Sequence, residues 1–116
     1  MTEKKAEMLQ KMKIKRIHFA WDRMEDKERI IHKFRAFKEI TGWDRRKMGV
    51  YVLTNFNTTL EQDLERIYTL RELGYDPYVM IYDKEHVKRG AELRRLQRWV
   101  NSKVTFAAVK KFEDFR

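Results

Sequence analysis

Three times along the chain an apolar, β-branched or aromatic run gives way within a few residues to a helix-periodic segment, and this alternation constrains the fold most. The clearest pair is GVYVLT at residues 49–54 and the helical pattern that follows it. A run that is apolar on both parities suits a parallel strand with both faces covered. The helix behind it carries Leu60, Leu64, Ile67, Leu70 and Leu73 as one stripe. It opens with Thr58-Thr59-Leu60-Glu61 at capping-box spacing and closes before Gly74, which takes positive φ without strain.

A similar unit lies on each side. Residues 14–20 (IKRIHFA) read as a strand ending near Trp21-Asp22. A helix over 24–40 follows, with Ile30, Ile31, Phe34, Phe37 and Ile40 apolar, acidic residues in its first turn, and Gly42 behind it. After Asp76-Pro77 comes a third strand, YVMIY at 78–82, and then a helix from 91 to about 102 that buries Leu93, Leu96, Trp99 and Val100. Strand and helix in strict alternation with short links predict right-handed βαβ crossovers, hence an α/β fold of three βα units with parallel strands over 14–103. Residues 1–13 form a weak basic helix, and the tail 104–116 packs its phenylalanines against the rest. Three strands alone leave two open edges, so the unit reads as part of a larger α/β assembly or as a minimal three-layer domain.

Strand alternation sorts the side chains into two sets. Ile17, Phe19, Val50, Val52, Thr54, Val79 and Ile81 suit packing under helices. The other parity gives His18, Ala20 and Asp22, then Tyr51, Leu53 and Asn55, then Tyr78, Met80 and Tyr82. That mixed set, polar toward the C-terminal strand ends, resembles a barrel lumen with its site at the mouth.

Composition removes several classes of chemistry. The 116 residues include no cysteine, which excludes a disulfide scaffold, a thiolate nucleophile, and any zinc-thiolate or iron–sulfur site held by this chain alone. No metal site is read from His18, His32 and His86, whose spacing is not that of ligands, and phosphate-loop and nucleophile-elbow motifs are absent. Nothing approaches the roughly 18 apolar residues of a membrane span, and no signal peptide is present, so a cytoplasmic location is expected. The net charge of +9 gathers at the two ends. Residues 1–16 hold six basic and two acidic side chains and residues 84–116 ten and four, while the stretch between is nearly neutral. Such ends suit a polyanion or a solvated surface equally well.

In α/β folds, loops and helix N-termini converge at the carboxyl ends of strands. Asp22, Asn55, Asn57 and Tyr82 fall there and are the candidate site residues. Each also has a structural alternative: Asp22 as a helix cap, Asn55 and Asn57 as turn residues, Tyr82 as a half-buried aromatic.

The segments Tyr51-Val52-Leu53-Thr54-Asn55-Phe56-Asn57-Thr58-Thr59, Glu61, Asp63, Leu64, Arg66, Asp76-Pro77-Tyr78-Val79-Met80, Tyr82 and Arg98-Trp99-Val100-Asn101 carry a family resemblance. Across most of the chain it resembles the C-terminal half of radical S-adenosylmethionine (radical SAM) proteins. The resemblance implies that the three strands are the fourth to sixth of a partial (β/α) barrel. It further implies that Asp22 lies at the SAM ribose, that residues 53–57 lie near the adenine, and that Asn55, Asn57 and Tyr82 contact SAM or substrate. The family binds its four-iron cluster through a CxxxCxxC loop that this chain lacks. The cluster would therefore come from another chain, a cysteine-bearing N-terminal half, and this chain alone would be inactive. Without that half, self-association through open sheet edges is expected. The alternative is a small basic α/β module that binds nucleic acid or an acidic protein.

Overall fold

A computed structural model describes residues 16–55, 58–82 and 90–115. Three strands, β1 (Ile17–Trp21), β2 (Met48–Thr54) and β3 (Asp76–Ile81), form one parallel sheet in the order β1-β2-β3. Helices α1 (Lys27–Thr41), α2 (Leu60–Leu73) and α3 (Gly90–Asn101) follow the strands in turn, and a short α4 (Lys103–Ala108) comes after α3. The α/β architecture with three parallel strands is thus the observed one. Successive right-handed crossovers in one direction put every helix on the same side of the sheet. The described residues therefore form two layers rather than three.

Local chemistry sets the ends of the elements. Gly42 and Gly74 both stop their helices in the left-handed conformation, at φ of 65° and 82°. The capping box of α2 lies one residue later than its sequence spacing suggests. Thr59 accepts from the Gln62 backbone N–H, and the Gln62 side chain accepts from the Thr59 N–H. Strand β3 begins two residues earlier than expected and takes in Pro77, which an edge strand tolerates because one side of its backbone has no ladder to join. The proposed helix at the N-terminus lies outside the described residues.

Two apolar clusters share the helix side of the sheet. In one, Trp21, Val50 and Val52 meet Phe34 and Phe37 of α1. In the other, Val79 meets Leu93, Leu96 and Trp99 of α3 together with Phe106 and Phe112 of the tail. Val109 and Phe115 of the tail pack against this cluster, and the Trp99 indole N–H donates to the Val109 carbonyl at 2.9 Å. Helix α2 joins the clusters, with Leu70 in the first and Ile67 in the second. Its buried stripe is Asp63, Arg66, Ile67 and Leu70, rotated from the leucine stripe read in the sequence. Leu60, Leu64 and Leu73 lie at the margin, partly buried.

One expected edge is not open. The side chain of Asn101 pairs with the Val79 N–H and C=O along the outer side of β3, so β3 is covered at its middle, whereas β1 has no such cover among the described residues.

Candidate functional site

The parity argument fixes which residues line the uncovered face. His18, Tyr51 and Met80 are exposed there, and Leu53 and Tyr78 are partly so. Its amino-terminal half is aromatic. The His18 ring stacks on Tyr51 with centroids 5.2 Å apart and planes 19° apart, and Tyr78 lies 6.3 Å from His18 and 6.2 Å from Tyr51. Gly49 makes room for this group: a Cβ there would come within 2.8 Å of the His18 ring and 3.0 Å of the Arg16 guanidinium.

Charge gathers at the same end. Asp76 bridges Arg16 at 2.9 Å and Lys103 at 2.7 Å, and the Lys103 ammonium lies 3.9 Å from the Tyr78 ring centroid. Burial pushes Lys103 below the usual lysine range, while the bond to Asp76 opposes that shift. Burial, with the Asp76 charge behind it, raises the Tyr78 phenol. A cleft of about 230 Å³ opens beside this cluster and is lined in part by Arg16, Arg45, Arg46 and Lys103.

The carboxyl ends of the strands hold the residues singled out in the sequence. Asn55 follows β2 at φ 62°, a left-handed conformation that asparagine tolerates, and its side-chain amide donates to the Tyr82 carbonyl at 3.0 Å. The Tyr82 N–H donates in turn to the Thr54 carbonyl at 2.9 Å, so these two candidates are brought together and lock the ends of β2 and β3. The Tyr82 side chain is half exposed. Asp22 follows β1 at the same end of the sheet, exposed, beside a cleft of about 400 Å³ lined also by Phe19, Arg23, Arg29 and Phe34. It caps neither the 3-10 turn Met24–Asp26 nor α1, whose cap positions are Arg23 and Asp26. Since Trp21 pairs with Val52 and Thr54 with Ile81, Asp22 stands about two residues short of the Asn55–Tyr82 layer. Asn57 lies outside the described residues.

Sequence reading missed a fully buried polar group of this region. Arg66 of α2 reaches under the strand ends and donates to the Trp21 carbonyl at 2.7 Å, the Leu53 carbonyl at 2.7 Å and Asp63 Oδ1 at 2.8 Å, with both side chains of the ion pair fully buried. Burial pulls the guanidinium below its usual range, and Asp63 and then Asp22 oppose this. The available signal was the i, i+3 spacing of Asp63 and Arg66 beside Ile67 and Leu70, which places an ion pair on the buried face.

No family model, curated protein or solved structure matches the chain.

Proposed function

We propose that this chain is the C-terminal half of a radical SAM-type partial barrel. It would supply one wall of the lumen and the SAM-facing strand ends to a cysteine-bearing half. The observation that carries this reading is the sheet itself: three consecutive parallel βα units in the order β1-β2-β3, every described helix on one face, and a mixed aromatic and polar face that none of the described helices covers. A barrel wall needs that arrangement, because its inner face meets other strands rather than helices.

The residues fit the two cofactors unequally. An iron–sulfur cluster has no ligands here, since the sequence contains no cysteine and the described residues hold no group of three histidine or acidic side chains. SAM fits better. The exposed Asp22 carboxylate can accept from both ribose hydroxyls, and the half-exposed Tyr82 ring offers a face for the adenine. Asn55 also acts through Tyr82, because one amide N–H is donated to that residue's carbonyl.

The test is co-expression with the polypeptide encoded immediately upstream, followed by anaerobic reconstitution with iron and sulfide. A stable pair that holds a cluster and binds SAM is expected, while this chain alone takes up no iron. The absence of any CxxxCxxC sequence upstream, or a pair that ignores SAM, overturns the reading.

A second reading, a module for single-stranded nucleic acid, draws support from the His18–Tyr51–Tyr78 aromatics beside Arg16, Arg45, Arg46 and Lys103. It requires binding that weakens steeply with salt and is lost in Tyr51→Ala.

A further inference from the structure

The two edges of the sheet are built differently. Because the Tyr82 N–H faces β2, the backbone groups of Pro77, Val79 and Ile81 face away from the sheet. On an ordinary edge they would invite another strand. Here those of Pro77 and Val79 are occupied. Pro77 has no N–H, and its carbonyl accepts from Lys103 Nζ at 2.6 Å. The Val79 N–H donates to Asn101 Oδ1 at 2.7 Å. The Val79 carbonyl accepts from Asn101 Nδ2 and from Gln97 Nε2, each at 3.2 Å. A carboxamide has the donor and acceptor pair of a peptide group, so Asn101 stands where the peptide of a fourth strand would stand.

Strand β1 has no such cover among the described residues. The Ile17 N–H donates to Lys47, which turns the His18 and Ala20 backbone groups outward, and both residues are exposed.

We propose that the sheet accepts a further strand at one edge only. Strand β1 is the docking edge for a parallel strand of a second βα polypeptide, and Asn101, with Gln97 and Lys103, closes β3 against the same event. The nature of the partner rests on the half-barrel reading; the polarity of the edges does not. The closure has a purpose in a chain of this shape. An open β3 would be a ready partner for the β1 of another copy, and such head-to-tail contacts build rings or filaments.

The experiment uses the chain itself. In the wild type the Val79 amide exchanges slowly with solvent, while those of His18 and Ala20 exchange rapidly. In the double variant Asn101→Ala, Gln97→Ala, exchange at Val79 in dilute solution rises about five- to tenfold. Its mass by light scattering also grows with concentration beyond that of the wild type. Adding Ala20→Pro, which removes an outward N–H of β1 without touching the ladder to β2, returns the mass to the wild-type value. Excess wild type shortens the assemblies, because its β1 takes a freed β3 and its own β3 ends the stack, whereas the Ala20→Pro chain does not. Asn101→Asp, which keeps the volume and loses the donor, serves if the double variant fails to fold. Slow exchange at His18 and Ala20 in the free chain, an unchanged mass in a folded Asn101 variant, or assemblies that survive Ala20→Pro would each overturn the proposal. None of these readouts involves SAM or a cluster, so the half-barrel reading can fail without them.

Discussion

The Arg66 guanidinium lies 2.8 Å from the Asp63 carboxylate, with both side chains sealed from solvent, and the same guanidinium holds the last carbonyl of β1 and the next-to-last carbonyl of β2. One turn of α2 is thereby fastened to the carboxyl ends of β1 and β2, the end of the sheet where Asp22, Asn55 and Tyr82 are placed. Removing one partner of a buried pair leaves a charge that the interior does not solvate. Arg66 Nε is itself buried, with no hydrogen-bond partner among the described residues.

Arg66→Met is expected to lower stability by about 3–5 kcal/mol in chemical denaturation. The double variant Asp63→Leu, Arg66→Met should lose clearly less than the sum of the two single changes, since it leaves neither charge behind. Strict additivity would mean that the pair is not coupled.

Ile67 is fully buried between the sheet and α3, whereas Leu64 sits at the margin of the second cluster. Ile67→Ala should cost about 2–4 kcal/mol and Leu64→Ala under half as much. Equal losses would show that the stripe of α2 faces the direction read from its leucines, against the orientation described.

Asn55 combines a left-handed backbone with a bond across the strand ends. Replacing it by Ala removes the bond and strains the backbone, a loss of about 1–3 kcal/mol, and Asn55→Gly should lose less because only the bond goes. In an assembled pair, Tyr82→Ala should weaken SAM binding with no loss of secondary structure. Unchanged affinity would remove Tyr82 from the site.

Tyr75 is buried, donates its hydroxyl to the Phe34 carbonyl at 2.8 Å and stacks on the Phe34 ring at 4.5 Å. Burial raises its phenol well above the ordinary tyrosine range. A raised folded-state pKa contributes stability that is complete below the unfolded pKa of about 10 and is lost as pH rises beyond it. Urea unfolding of the wild type should therefore weaken above that pH, by up to about 1.4 kcal/mol per pH unit from this group. Tyr75→Phe should remove that share of the slope while costing about 1 kcal/mol at neutral pH. An identical slope in the variant would assign the alkaline loss to other groups.

The sequence by itself determined the element order, the parallel sheet and the division of each strand into a covered and a bare face. All three follow from local periodicity, since a strand repeats every two residues, a helix every 3.6, and short links force same-direction crossovers. It also placed Asn55 and Tyr82 at one end of the sheet, because parallel strands in register bring their last residues level. Tertiary structure decided what no local pattern encodes. The rotation of α2 that buries Asp63 and Arg66 in place of Leu60 and Leu64 depends on carbonyls 13 and 45 residues away from Arg66. The closure of β3 depends on Asn101, 22 residues beyond Val79. A polar side chain reads as surface in a sequence; only the packed chain shows which backbone groups it must satisfy, and a buried unpaired N–H or C=O is costly enough to fix that choice.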